Sequence, residues 1–156
     1  MNIHLIALGD KLPLWMQTGV DDYAKRIHTP WSLKQCQLTI PKRHKNANIK
    51  QLKQQESDTL LAACPDSSLR IALDEHGDKL NTKMLAARLA KHQLQSQNLS
   101  ILIGGPDGLA DSCLNACNEH WSLSPLTLPH GIARIVIVEQ LYRAISLLNN
   151  HPYHRA

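Results

Sequence analysis

Short, almost uninterrupted runs of apolar residues recur along this chain, and each is followed by a stretch with helical spacing. The runs are NIHLIAL at 2–8, LRIAL at 69–73 and LSILI at 99–103. Strands this apolar are typical of a parallel sheet covered on both faces, because neither side of such a strand meets water. The alternation predicts one α/β domain over residues 1–156, with a mainly parallel sheet and helices on both faces.

The segments between these runs complete the predicted pattern. Residues 33–40 alternate between apolar and polar side chains, which predicts a strand with one solvent-facing side. The strand that begins at residue 69 is expected to end before 74–77, and residues 121–124 form a last short strand. Helical spacing and end signals predict helices near 13–28, 49–63, 82–95, 109–119 and 134–148.

A glycine-rich turn, GGPDG at 104–108, separates the run at 99–103 from the next helix. Glycine lets the backbone turn sharply and approach a ligand closely. Open parallel sheets bind ligands at the carboxyl ends of their strands. The spacing is not GxGxxG and no Lys-Ser/Thr pair follows, which disfavours a dinucleotide or nucleoside triphosphate site. From the glycines alone, a ligand-binding turn and a plain strand-to-helix turn are equally good interpretations.

The segment SPLTLPH at 124–130 places two prolines around small and apolar residues, directly before the last helix. Such a loop is stiff, has few charges and exposes backbone amides and carbonyls. These properties suit an adenine held by main-chain hydrogen bonds and apolar contact. The pattern alone is also typical of a simple connector.

A basic segment covers residues 42–53. The chain has a net charge of +4 and a pI of about 9.0, which permits a polyanionic partner such as RNA. A solvated loop and helix face is the simpler alternative. The basic side chains are Lys42, Arg43, His44, Lys45, Lys50 and Lys53.

The last helix is the most apolar in the chain, yet it carries Glu139 and Arg143. Charges on a mostly buried helix need partners or a function, while the four-residue spacing also fits a surface ion pair. The tail at 149–156 is too polar for a core. It is either a frayed terminus or a dense set of hydrogen-bond donors.

The cysteines and histidines show no metal or disulfide pattern. No CxxC is present, and Cys113 and Cys117 would share one helix face without further ligands. We therefore expect free thiols, no metal and a cytoplasmic protein. No stretch approaches the ~20 apolar residues of a membrane-spanning helix, so no membrane partner is expected.

Three segments resemble one known family. LIGGPDGL at 102–109, WSLSPLTLPH at 121–130 and NHPYHR at 150–155 are similar to the LIGGPEG, WSLSxLTLPH and NHPYHR segments of the RlmH family. This family comprises SPOUT-class methyltransferases of bacterial large-subunit ribosomal RNA. Weaker similarity extends the resemblance over nearly the whole chain. Asp107 stands where the family has Glu, and Gly131 replaces a non-glycine residue, which we expect to loosen the start of the last helix.

The resemblance implies a SPOUT fold with a C-terminal trefoil knot in roughly 70–156. It implies a homodimer that binds S-adenosylmethionine in the knot without a metal. The implied reaction is methylation of N3 of a pseudouridine in 23S ribosomal RNA, on the large subunit or the assembled ribosome. By position, the expected cofactor residues are Leu73, Gly105, Ser124, Pro125, Leu126, Thr127, Leu128 and Pro129.

The resemblance also implies that residues near the end of the chain act on the RNA substrate. The candidate general bases are Glu139, His130 and His154, with Arg143 and Arg155 stabilising negative charge or phosphate. Lys42, Arg43, Lys45 and Lys50 are expected to bind the RNA. The expected catalytic and substrate-binding residues are Glu139, Arg143, Tyr153, His154 and Arg155.

Two other classes of function remain open at this point. A non-catalytic ribosome-binding factor of the same fold would use the same basic segment but would not bind S-adenosylmethionine. An enzyme that binds a nucleotide at the glycine turn is disfavoured, because the lysine of a phosphate-binding loop is missing.

Overall fold

The three apolar runs lie next to one another in a single five-stranded parallel sheet. The structure is a computed structural model that describes residues 1–40 and 42–155, without the side chain of His154. The strand order is β2-β1-β4-β3-β5, and every neighbouring pair is parallel. The strands are β1 (Asn2–Leu8), β2 (Ser32–Leu38), β3 (Ser68–Lys79), β4 (Asn98–Ile103) and β5 (Glu119–Ser122).

Helices cover both faces of this sheet, as predicted. One face packs against the first, third and fifth helices, and the other face packs against the second and fourth. The tail after the fifth helix forms a 3-10 helix, Pro152–Arg155. The helices are α1 (Leu14–Ala24), α2 (Ile49–Ala62), α3 (Thr82–Leu94), α4 (Asp111–Asn115) and α5 (His130–Leu148).

The central strand β4 is buried on both of its faces. Leu99 and Ile101 belong to the core cluster under α5, while Leu102 points to the opposite cluster under α2. Because successive side chains of a strand alternate between faces, a strand buried on both faces is mostly apolar. The polar residue within this run, Ser100, is fully buried and shares a hydrogen bond with the Ser68 hydroxyl at 2.6 Å. This burial on both faces explains why the run at 99–103 could be recognised from sequence alone.

Truncating a core side chain of α5 is expected to destabilise the fold markedly. Leu141 is fully buried between α5 and the sheet, and Leu141→Ala should lower the free energy of unfolding by about 2–5 kcal/mol, since a cavity remains. Leu94→Ala is the matched control: Leu94 is 88% exposed, and its loss should cost less than about 0.5 kcal/mol. Urea unfolding measures both, and equal losses would contradict this core assignment.

Several predicted element boundaries differ from the structure. The last strand is Glu119–Ser122 rather than 121–124, and the first helix ends at Ala24 rather than near 28. β3 does not end at 74–77 but continues to Lys79, because Leu73 and Asp78 both pair with Trp121 across an irregularity. Residues 74–77 are accommodated there as a bulge. The helix expected at 109–119 is only five residues long, Asp111–Asn115.

The last helix begins at His130, four residues earlier than predicted, so Gly131 lies inside it. Gly131 is buried, and a Cβ atom there would overlap the Met16 sulfur of α1. The expectation that this glycine loosens the start of the helix is therefore replaced by a packing role. The missing side chain lets α1 and α5 approach closely.

β5 lies at one edge of the sheet, and the chain after it crosses back over the sheet. Residues 123–129 cross the carboxyl ends of the strands and lead into α5, which packs on α1 and α3. The trefoil knot in this region remains a prediction. The four cysteines are free thiols, and no helix within residues 1–40 and 42–155 is long and apolar enough to cross a membrane.

Candidate active site

A cleft of about 610 Å³ opens at the carboxyl ends of the central and edge strands. One wall is the glycine turn, residues 104–108 after β4, and the other is the proline loop, residues 124–130 after β5. Leu73 and Trp121 contribute from the strands between them. The volume lies within the range of about 300–1,000 Å³ typical of small-molecule sites.

The glycine turn is a β-turn whose shape depends on having no side chains at its first two positions. The Gly108 N–H donates to the Gly105 carbonyl at 2.9 Å, and Gly108 has a φ of +78°. A Cβ on Gly104 would lie 2.8 Å from the Gly108 backbone, and one on Gly105 would lie 2.6 Å from Glu56 Oε2. Only backbone atoms therefore fit at Gly104 and Gly105.

The proline loop is held at its start by two hydrogen bonds to Ser124. The Leu126 N–H donates to Ser124 Oγ at 2.9 Å, and the Ser122 hydroxyl donates to the Ser124 carbonyl at 3.1 Å. Across the cleft mouth, the Thr127 hydroxyl donates to Glu75 Oε2 at 3.3 Å. The structure thus places all of the predicted cofactor residues around the cleft except Pro125, which does not line it.

Acidic side chains line the cleft on its β3 side. Asp74 and Glu75 both face it, and their charges favour a cationic ligand while opposing a polyphosphate. His130 adds no positive charge near neutral pH, because burial, together with the nearby Arg134 cation, lowers the pKa of its imidazole. Neither Asp74 nor Glu75 was predicted as a site residue. Their only signal was their position directly after the apolar run that ends at Leu73.

The predicted catalytic residues of α5 and the tail form a second group, which we call the tail cluster: Glu139, Arg143 and Tyr153. Glu139 Oε1 accepts hydrogen bonds from Arg143 Nε at 2.9 Å and from the Tyr153 hydroxyl at 3.1 Å. Gln140 donates to its other oxygen at 2.6 Å. The side chains of Glu139 and Arg143 are 15% and 21% exposed, so the pair is more than a surface ion pair.

Aromatic packing holds Tyr153 in the tail cluster. Its ring centroid lies 4.6 Å from that of Tyr142, and the Arg143 guanidinium lies 4.8 Å above the Tyr153 ring. Burial raises the pKa of Tyr153, and a hydrogen bond with Tyr23 and the Glu139 charge raise it further. The phenol therefore stays protonated. Arg155 is exposed, and the prediction for the side chain of His154 lies outside the described residues.

In one subunit the tail cluster and the cleft are separate. Ala133 is the last residue of α5 that lines the cleft, and it precedes Glu139 by six residues, a rise of about 9 Å. The structure therefore groups the predicted cofactor residues in one place and the predicted catalytic residues in another.

The basic segment lies next to the glycine turn. Lys42, Lys45 and Lys50 are exposed, as an RNA-binding role requires. Arg43 is placed differently: its guanidinium contacts Asp107 Oδ2 at 2.5 Å and Glu56 Oε1 at 3.2 Å. Of the four predicted RNA-binding residues, Arg43 is thus already engaged by two carboxylates.

Comparison with known proteins identifies the family. A family model described as predicted SPOUT methyltransferase matches residues 1–154. The chain belongs to the SPOUT methyltransferase family. A similar relative of this SPOUT methyltransferase is the ribosomal RNA large subunit methyltransferase H of Nitrosococcus oceani. It is 47% identical over 156 residues, which cover 100% of this chain and 99% of the relative.

The fold of this SPOUT methyltransferase is similar to those of solved structures. A probable methylase family protein from Haemophilus influenzae Rd KW20 aligns over 97% of this chain and 69% of its own, with a TM-score of 0.54 at 15% identity. It shares the fold. The SpoU methyltransferase AviRb from Streptomyces viridochromogenes, solved in complex with AdoMet, aligns over 90% of this chain and 56% of its own, with a TM-score of 0.45 at 13% identity.

The described part of this SPOUT methyltransferase contains no group of three or more His, Cys, Asp or Glu side chains placed to hold a metal ion. The cleft instead offers backbone groups, apolar side chains and the three carboxylates of Asp74, Glu75 and Asp107. Such a set suits an organic cation better than an anionic nucleotide.

Proposed function

We propose that the protein transfers the methyl group of S-adenosylmethionine to N3 of a pseudouridine in 23S ribosomal RNA of the large subunit. The observation that carries the proposal is the cleft between the glycine turn and the proline loop. This SPOUT chain is 47% identical to the ribosomal RNA large subunit methyltransferase H from Nitrosococcus oceani. The reaction takes place where ribosomes are found, in the cytoplasm.

The residues of the cleft fit this cofactor. Gly105 presents only backbone atoms to a ligand, and its missing side chain leaves the space that the Glu56 carboxylate occupies behind the turn. Leu73 and Leu128 supply apolar contact for an adenine, and the carboxylates of Asp74 and Glu75 complement the positive charges of a sulfonium and an amino group. When bound, S-adenosylmethionine supplies an electrophilic methyl carbon and leaves as S-adenosylhomocysteine.

The tail cluster serves the RNA substrate. N3–H of pseudouridine is a weak acid, so positive charge beside the base favours loss of its proton and makes N3 a better nucleophile. Arg143 supplies this charge, and the Tyr153 phenol donates a hydrogen bond or stacks on the base. Glu139 already accepts from three donors. We therefore assign it the positioning of Arg143 and Tyr153 rather than proton abstraction.

We infer that the active site is shared between two subunits of a homodimer. The tail cluster begins about 9 Å along α5 from the last helix residue that lines the cleft of its own chain, whereas methyl transfer requires reacting atoms ~3 Å apart. A partner's tail cluster placed at the cleft would remove this separation. The surface near α5 also suits an interface, since Leu14 and Trp15 at the start of α1 are 82% and 62% exposed.

A thermal-shift panel tests the cofactor assignment. S-adenosylhomocysteine at 100 times its Kd should stabilise the protein by about 2.7 kcal/mol through mass action, while NAD and ATP should leave its Tm unchanged. A non-catalytic ribosome-binding factor would show no shift with any of the three. Mass spectrometry of 23S ribosomal RNA from a deletion strain then tests the methylated nucleotide, and an unaltered modification pattern would refute the proposed reaction.

The exposed lysines are expected to set the salt dependence of RNA binding. The triple variant Lys42→Gln, Lys45→Gln, Lys50→Gln should weaken binding to the ribosomal target and flatten the plot of log affinity against log salt by about 2, because each lost phosphate contact removes about 0.7–0.9. The control is Lys91→Gln, an exposed lysine near the end of α3. An unchanged slope in the triple variant would show that these lysines do not contact the RNA.

A further inference from the structure

Arg43 links the basic segment to the cofactor cleft through two carboxylates. Its guanidinium contacts Asp107 Oδ2 at 2.5 Å and Glu56 Oε1 at 3.2 Å. Asp107 belongs to the glycine turn, and Glu56 belongs to α2, on the face of the sheet behind that turn. Three segments separated in sequence therefore meet at one cation.

Burying the Glu56 carboxylate is energetically unfavourable unless this cation is paired with it. Its side chain is 1% exposed, and Oε2 has no hydrogen-bond partner among the residues that the structure describes. A buried carboxylate without a charge partner is strongly destabilising. The 42–53 segment thus supplies the neutralising charge for an acidic group placed against Gly105.

Glu56 also fills the space next to Gly105 of the glycine turn. The space that a Gly105 side chain would occupy is taken by Glu56 Oε2, at 2.6 Å from the ideal Cβ position. The same face of α2 holds the chain just after the turn, where the Ala110 N–H donates to the buried Ser57 hydroxyl at 2.9 Å. α2 therefore supports the turn from behind, while the Arg43–Asp107 contact holds it from outside.

We infer that Arg43 is a positioning residue for cofactor binding, which holds the glycine turn in its binding shape by bridging Glu56 and Asp107. The inference rests on the proposed function for the identity of the ligand. It assigns Arg43 a role different from that of the exposed lysines beside it. A phosphate that recruited Arg43 would have to displace two carboxylates and leave Glu56 buried and unpaired.

A double-substitution experiment separates positioning from phosphate binding. Arg43→Gln should raise the calorimetric Kd for S-adenosylhomocysteine at least ~10-fold, because the unpaired Glu56 charge distorts the turn. Adding Glu56→Gln removes that charge, and the double variant should return to within ~3-fold of wild type. A phosphate contact predicts the reverse: unchanged cofactor affinity, weaker RNA binding and no rescue by Glu56→Gln.

The control is Arg26→Gln, which breaks an exposed ion pair with Asp22 and should leave cofactor affinity unchanged. A second readout needs no cofactor: hydrogen exchange at the Gly108 amide, which bonds to the Gly105 carbonyl, should accelerate in Arg43→Gln and recover in the double variant. If wild type fails to bind S-adenosylhomocysteine, the proposed function fails, and the exchange measurement alone decides the inference. Unchanged exchange in Arg43→Gln would overturn it.

If Arg43→Gln does not fold, Asp107→Asn takes its place. This substitution removes only the partner on the turn, whose side chain is 28% exposed, and keeps the Arg43–Glu56 pair. We expect a several-fold weaker affinity for S-adenosylhomocysteine and faster exchange at Gly108. Wild-type values for both quantities would overturn the positioning role.

Discussion

Gly105→Val is expected to abolish binding of S-adenosylmethionine and S-adenosylhomocysteine, raising the Kd by roughly 100-fold or more. The first atom of the new side chain would lie 2.6 Å from Glu56 Oε2, and Glu56 is buried and held by Arg43. The turn must therefore shift, and the open side available to it is the cleft. Calorimetric titration with S-adenosylhomocysteine measures the effect.

Gly19→Ala is the matched control for this substitution. A Cβ on Gly19 would lie 3.5 Å from Ile135, which is ordinary van der Waals contact, so cofactor affinity should stay at the wild-type value. Thermal unfolding of Gly105→Val shows whether the domain remains folded. A folded Gly105→Val protein with wild-type affinity would place the cofactor outside this cleft.

Deleting residues 151–156 is expected to reduce the methylation rate by roughly 10³-fold while leaving the affinity for S-adenosylhomocysteine unchanged. The deletion removes Tyr153, which donates to Glu139 and packs against Tyr142, but removes no residue that lines the cleft. Single-turnover methylation of ribosomal RNA and calorimetry measure the two quantities separately. A full methylation rate in the truncated protein would dismiss the role of the tail.

Mixing the two inactive variants tests whether the site is shared between subunits. A heterodimer of Gly105→Val and the 151–156 deletion contains one intact cleft, on the truncated chain, and one intact tail, on the other. If a tail serves its partner's cleft, this mixture should regain a substantial part of wild-type activity. If each tail serves its own cleft, the mixture should stay as inactive as its parents, and the shared-site proposal would be refuted.

Local patterns in the sequence predicted much of this fold. The runs at 2–8 and 99–103 became β1 and β4 almost residue for residue, because a strand buried on both faces is mostly apolar. The start of α3 was also predictable, since the Asn81 side chain accepts from the Met84 N–H as a helix cap. Signals of this kind depend only on neighbouring residues.

Boundaries that depend on distant partners were not predictable. β3 extends through the polar residues 74–79 because β5 pairs with it, and α5 begins at His130 because Gly131 admits close packing against Met16. Neither reason is visible in the segment concerned. The glycine turn and the proline loop were recognised as separate motifs, but only strand order brings them to opposite walls of one cleft.

The sequence by itself determined the parallel sheet, its apolar strands and the two backbone-rich loops, since strand burial and turn geometry leave short-range patterns. Only the tertiary structure decided which charges pair. Arg43 meets Asp107 across 64 positions of the chain, and Glu56, on a helix dominated by polar residues, turns inward to lie against Gly105. Coulomb energy depends on distance in space and on burial, and neither quantity is encoded in the spacing of charges along the chain.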